Sequence, residues 1–155
     1  MHTLKSFHFL LSDAWGNIDS GFEIILTHTV NGGRLDAVVQ KSKYSIMLTD
    51  YEQFLCDSLI RCGYANWDNK FYEAGLDVLD GNLWHLTIDI DDVPVCCEGM
   101  NGYPYGFDIL IDSLHTIGIP HCSMELPSKN EYRHYIKHSV SEALQRQIVL
   151  LMMKR

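Results

Sequence analysis

From Trp84 to Ile90 large apolar residues recur at every second position: Trp84, Leu86, Ile88 and Ile90 alternate with His85, Thr87 and Asp89. A period of two puts the four apolar side chains on one face of an extended strand and the three polar ones on the other. Only a strand lying half-buried on a core satisfies that pattern. Asp80-Gly81 reads as the turn that admits the strand, and Asp91-Asp92 as the turn into a partner strand over Val93 to Cys97. The chain must therefore build a sheet with one wet face and find something to cover the dry one.

More strands precede this hairpin. Leu4 to Leu11, Phe22 to Val30 and Leu35 to Val39 are apolar and β-branched runs separated by turn clusters at Trp15-Gly16-Asn17 and Asn31-Gly32-Gly33, which predicts an antiparallel meander. Thr49-Asp50-Tyr51-Glu52 has the spacing of a capping box and Gly63 that of a helix stop; between them Tyr51, Phe54, Leu55, Leu59 and Cys62 keep helical spacing. Tyr64 to Glu73 reads as a short helix carrying Trp67 and Tyr72. Pro104 suits a first helical position, and Phe107, Leu110, Ile111, Leu114 and Ile117 continue as a stripe to Gly118. Ser128-Lys129-Asn130-Glu131 is a second capping-box pattern, opening a long helix through Tyr132, Ile136, Val140, Ala143, Leu144, Ile148 and Leu151. Residues 118–127, with Pro120 and Pro127, read as a linker. The expected fold is α+β: an antiparallel sheet of β-meander, helix, β-hairpin and helix, with an added long C-terminal helix. Residues 1–127 are expected to form an acidic body and 128–155 a basic and apolar helix packed on it, as a single domain overall.

Charge sorts the partners. The 155 residues carry a formal charge of −8, which opposes non-specific binding to nucleic acid or to an anionic membrane, since both depend on a positive surface. The balance is uneven. Residues 128–155 hold six bases and two acids, a net +4, whereas the preceding residues hold six bases and 18 acids, a net −12. The apolar runs are far shorter than the roughly 18 residues a membrane span needs. Five cysteines (Cys56, Cys62, Cys96, Cys97, Cys122) are an odd number without a framework spacing, and the adjacent Cys96 and Cys97 point to opposite faces of a strand, so they are expected to be reduced, as in a cytoplasmic protein.

One stretch is more specific. Trp67, Tyr72, then Asp80-Gly81-x-x-Trp84-x-Leu86-x-Ile88, then Gly99-x-Asn101-x-Tyr103-Pro104-x-x-Phe107 and a Leu-rich helix follow one another in order. This series resembles a set of small bacterial proteins without assigned activity, which share a D-G-x-x-W-x-L-x-I strand and a G-x-N-x-[YF]-P loop before a helix. The resemblance implies an α+β outline and no chemistry. The residues make physical sense in any case. Gly99 and Gly102 are expected to allow positive φ where strand turns to helix, Asn101 to satisfy backbone donors in that turn, and Trp84 to anchor the core.

Several constellations invite a chemical reading, and each has a plainer one. His85-Leu86-Thr87 and His121-Cys122-Ser123 both fit H-x-[ST], the pattern by which paired histidines and hydroxyls grip a phosphodiester. Short matches arise easily among eight histidines, and polar side chains standing in water explain the same residues. His134 and His138, at i and i+4 of the expected helix, have a spacing that can share a metal, but they lack the adjacent Glu of the zincin pattern. Neither a C-x-x-C pair nor a phosphate-cradling Gly-rich loop is present, and no cofactor is called for.

These considerations favour a non-enzymatic interaction protein, a small acidic domain that covers a basic protein partner in the manner of an inhibitor or immunity protein, with Asp89, Asp91, Asp92 and Glu98 of the hairpin as the contact. The alternative is a histidine-based phosphoesterase or metal-dependent hydrolase using His85 and His121 with Thr87 and Ser123. Val149, Leu150, Met152 and Met153 make the last expected turns apolar all round, a composition that points to a homodimer contact.

Overall fold

The structure, a computed structural model, describes residues 1–13, 15–73 and 82–120, together with the backbone of Ile136–Ser139. The meander forms as β1 (Leu4–Asp13), β2 (Phe22–Thr29), β3 (Gly32–Val39) and β4 (Ser42–Met47). Helix α1 (Glu52–Cys62) and a 3₁₀ turn (Tyr64–Trp67) lead to β5 (Lys70–Glu73). The hairpin β6 (Asn82–Ile90) and β7 (Val93–Met100), helix α2 (Phe107–Thr116) and a short β8 (Ile136–Ser139) follow. Seven strands lie in the order β4-β3-β2-β1-β6-β7-β5, with β8 paired along the outer edge of β5. Neighbours are antiparallel except β5 and β7, which run parallel. The fold is α+β, as the sequence implies, and the hairpin joins the meander in one sheet because β6 pairs along β1 from Leu4↔Ile90 to Asp13↔Asn82.

Alternation sets the two faces of this sheet. Phe7, Phe9, Leu11, Phe22, Ile24, Leu35, Ala37, Trp84, Leu86, Ile88, Val95 and Cys97 form its buried side, joined in one core cluster with Leu55, Cys56 and Leu59 of α1 and Phe107, Leu110 and Leu114 of α2. Leu4 and Phe7 are three apart yet both buried, because a register shift between Leu4 and Ser6 inserts an extra residue there. Around Trp84 the core is aromatic. The indole stacks between Tyr72 (centroids 6.1 Å, planes 22° apart) and Tyr103 (6.0 Å, 12°), and Phe107 closes in at 4.9 Å. Its Nε1–H donates to the carbonyl of Gly102 at 2.7 Å, so the polar end of the ring is satisfied inside the protein.

Several local expectations change. Glycines 99 and 102 do not adopt positive φ; they are required for space. A Cβ on Gly99 would overlap the Trp84 ring, and one on Gly102 would overlap the backbone of Glu73. No capping box forms at Thr49. The N-cap of α1 is Tyr51 and has no side-chain cap, because the Glu52 carboxylate instead accepts the N–H of Leu4 at 3.0 Å and so ties the helix to β1. Gly63 does end the helix, with φ 80° in the left-handed region and its N–H on the carbonyls of Ile60 and Leu59. The buried stripe of α1 runs Leu55, Cys56, Ser58, Leu59 and Cys62, which leaves Tyr51 and Phe54 exposed.

Tyr64 to Glu73 is not one helix. It divides into the 3₁₀ turn and β5, since Lys70 to Glu73 find sheet partners on both sides. Helix α2 begins at Phe107 behind Gly106, and Pro104 stands before it, its carbonyl accepting the Phe107 N–H at 3.1 Å. Asn101 fulfils its expected role: its Oδ1 accepts the N–H of Asn82 and its own N–H donates back to the Asn82 carbonyl, both at 2.9 Å. Within the expected C-terminal helix, Ile136–Ser139 is extended and pairs with β5; the remainder of that helix lies outside the described residues.

Candidate functional site

Two polar regions gather the residues that the sequence singles out. The first is the tip of the β6–β7 hairpin. Ile90 and Val93 face each other across a two-residue turn in which Asp91 and Asp92 both have positive φ, 54° and 66°. That geometry follows the right-handed twist of the strands and is one Asp tolerates better than most side chains. The tip sits against the N-terminus of the chain. Asp91 accepts from His2 Nδ1 at 2.6 Å and from the N–H of Thr3 at 2.8 Å, and its own N–H donates to the Thr3 carbonyl. Lys5 pairs with Asp92. The imidazole of His2 and the Thr3 N–H hold the Asp91 carboxyl below its usual range, while Asp92, first by its hydrogen bond, raises the Lys5 ammonium.

Helix α1 adds to this corner. Asp57 lies 4.0 Å from His2 Nε2, the His2 N–H donates to Gln53 Oε1, and Glu52 holds Leu4. Asp89, two residues before Asp91 on β6, has a buried Oδ1 without a hydrogen-bond partner among the described residues. Apolar surface lies beside the acids: Val93 follows the tip at 46% exposure and Ile60 stands one helical turn beyond Asp57 at 43%. Sequence reasoning found Asp89, Asp91 and Asp92 but missed Glu52, Asp57, Ile60 and their counter-ions. Those residues are more than 25 positions away in the chain, and only the pairing of β1 with β6 and the packing of α1 against β1 bring them together.

The second region is the open face of the sheet. His85 sits between two partners, Glu98 Oε1 at 3.1 Å from Nδ1 and Thr87 Oγ1 at 3.1 Å from Nε2. Across on β1 the ring of His8 stands 5.9 Å from it, edge-on at 60°, and Nε2 of His8 meets Glu23 Oε2 at 2.8 Å. Farther along, Asp36 accepts from Arg34, Thr27 and Ser45; the Arg34 guanidinium holds its carboxyl below the usual range, and the two hydroxyls reinforce the effect. Thus Glu98, expected to face a partner, is engaged with His85 instead. His8 and Glu23 escaped the sequence reading because only strand register reveals them.

His121 and Ser123, the other half of the two-histidine pattern, lie outside the described residues, as do His134, Val149, Leu150, Met152 and Met153. His138 is in β8, its Cα opposite that of Phe71. Among the described residues no three His, Cys, Asp or Glu side chains are arranged to hold a metal ion, and no helix is long and apolar enough to cross a membrane. Cys56, Cys62, Cys96 and Cys97 are free thiols. Burial pushes Cys56 and Cys62 up to about 12 and raises Cys97 as well; of the four, only Cys96 is exposed. A groove of about 150 Å³ separates the helices, lined by Phe54, Ser58 and Arg61 of α1 and by Ile109, Asp112 and Thr116 of α2. Compared with family models, characterised proteins and solved structures, the chain matches none significantly.

Proposed function

We propose that the protein is a non-enzymatic interaction module of the cytoplasm that covers a basic surface on another protein, with the hairpin-tip corner as its contact. The observation that carries this reading is the composition of the corner. Asp57 and Asp91 flank His2 there, Asp92 and Asp89 act on Lys5, and Val93 beside Asp92 and Ile60 one helical turn from Asp57 are exposed. Apolar anchors ringed by one sign of charge suit a partner of the opposite sign: the charges steer encounter and fix register, and the apolar groups supply area. Asp91 serves mainly to hold the N-terminal strand, so the acids available to a partner are Asp57 and Asp92, which keep 59% and 77% of their side-chain surface. This is the mode of an inhibitor or immunity protein.

The test is capture from a lysate at low and high salt, with the wild type and with an Asp57→Lys/Asp92→Lys chain. A basic protein should be retained at low salt, released at high salt and lost with the double substitution. Equal retention by the substituted chain would remove the corner from the interface.

A further inference from the structure

The groove between α1 and α2 combines apolar surface with a balanced pair of charges. Phe54 on the α1 wall and Tyr51 one turn before it keep 39% and 42% exposure, and Ile109 on the α2 wall is half-buried. The α2 hydroxyls that line the groove already donate within their own helix, Ser113 to the Leu110 carbonyl and Thr116 to the Asp112 carbonyl, both at 2.8 Å. A cover laid over them therefore leaves neither donor unmade. Among the described residues the lining holds two charged side chains, Arg61 and Asp112. They stand exposed on opposite walls, and neither has an ion-pair partner among the described residues.

We propose that the occupant of this groove is a second copy of the chain, packed face to face about a two-fold axis that runs along the groove. Such an axis carries the α1 wall onto the α2 wall. Arg61 of each copy then meets the partner's Asp112, so one pair of opposite charges is formed twice, and Phe54 is brought toward the partner's Ile109. The charge balance is what selects a twin. A basic protein needs unopposed acids, which the hairpin-tip corner offers and the groove does not. Two copies that each carry a formal charge of −8 repel over most of their surface, whereas the groove is neutral and its two charges complement themselves. The contact uses neither Asp92 nor Val93, so it stands independently of the function proposed above, and it is separate from the contact expected at Val149 to Met153.

Sedimentation velocity of the full-length chain over a concentration series tests this. The wild type should approach twice the mass of one chain. Arg61→Asp alone, or Asp112→Arg alone, sets like charges against each other twice in every dimer and should weaken association by about tenfold or more. An equimolar mixture of the two variants regains both opposite-charge pairs and should form the mixed dimer at close to wild-type strength. Both positions are exposed, so each variant should keep the wild-type near-ultraviolet circular dichroism, which checks the fold separately from the contact. A wild type that stays monomeric at its highest soluble concentration would overturn the proposal. So would a single variant that dimerises as strongly as the wild type, since the contact then lies elsewhere, or a mixture of folded variants that stays monomeric.

Discussion

Strand β6 meets two environments. On its inner side Trp84, Leu86 and Ile88 are each at most 2% exposed and belong to the core cluster, in which Trp84 meets the rings of Tyr72, Tyr103 and Phe107. On its outer side His85, Thr87 and Asp89 remain half-buried, and His85 meets one carboxylate on β7, that of Glu98, and one hydroxyl on its own strand, that of Thr87. The two faces share a backbone, so the difference belongs to the side chains. The inner face is fixed by volume, where every atom has a neighbour and no substitution fits without a loss. The outer face is fixed by pairwise polar contacts in high dielectric, each worth little alone. Identity is specified on the first face and left free to serve recognition on the second.

Four substitutions and one labelling experiment would break or sharpen this contrast. Trp84→Ala should cost about 3–5 kcal/mol, read as a shift in the denaturant midpoint, because it removes the ring on which Tyr72, Tyr103 and Phe107 all rest; a loss below about 1 kcal/mol would mean the stack is not the core's anchor. Gly99→Ala, a single added methyl group, should cost about 1–3 kcal/mol by forcing the indole from its position. A stable Gly99→Ala protein would show that the indole has room to move.

On the outer face the effects shrink. The Asp36 carboxyl is held low in the folded state, so its contribution is present above the carboxylate range and is lost as pH falls through the lowered value. Asp36→Asn should therefore lower stability at neutral pH, leave the most acid end little changed, and so flatten the acid limb of a stability–pH curve between about pH 5 and pH 2. An equally steep acid limb would assign that dependence to other carboxyls. His8→Ala should move stability by no more than about 0.5 kcal/mol despite the loss of its bond to Glu23. The thiols offer a check without mutation. At pH 8 Cys96 should react with a thiol reagent in the native protein, while Cys56, Cys62 and Cys97 should wait for unfolding. Rapid labelling of Cys97 would mean that the inner face opens.

The same contrast explains what could be read from the sequence. Strands β1, β2, β3 and the β6–β7 hairpin announce themselves because one face is buried and the other wet, which writes alternation into the chain. β4 was missed because an edge strand needs little apolar surface: in Ser42–Met47 only Tyr44 and Ile46 pack on the core. β5 was taken for helix because Phe71 and Tyr72 are buried on both faces and erase the alternation. Trp84 could be recognised as an anchor, but the choice of Tyr72 and Tyr103 as its neighbours depends on how the strands are ordered. The candidate corner was half legible. Its acids cluster in sequence, but His2, Lys5 and Asp57 reach them only through the β1–β6 pairing and the packing of α1.

That pairing also shapes how the chain assembles. β1 is made before the other strands of this sheet and ends in its interior, yet its second neighbour, β6, lies about eighty residues later, with Leu4 opposite Ile90. During synthesis the meander β1 to β4 can close locally, but it must present a ten-residue edge bearing Phe7, Phe9 and Leu11 until β6 emerges. Long-range closure of this kind is slow, commonly milliseconds to seconds. The interval in which that edge stands open is when the nascent protein is most exposed to pairing with the wrong strand, and chaperone engagement should concentrate there.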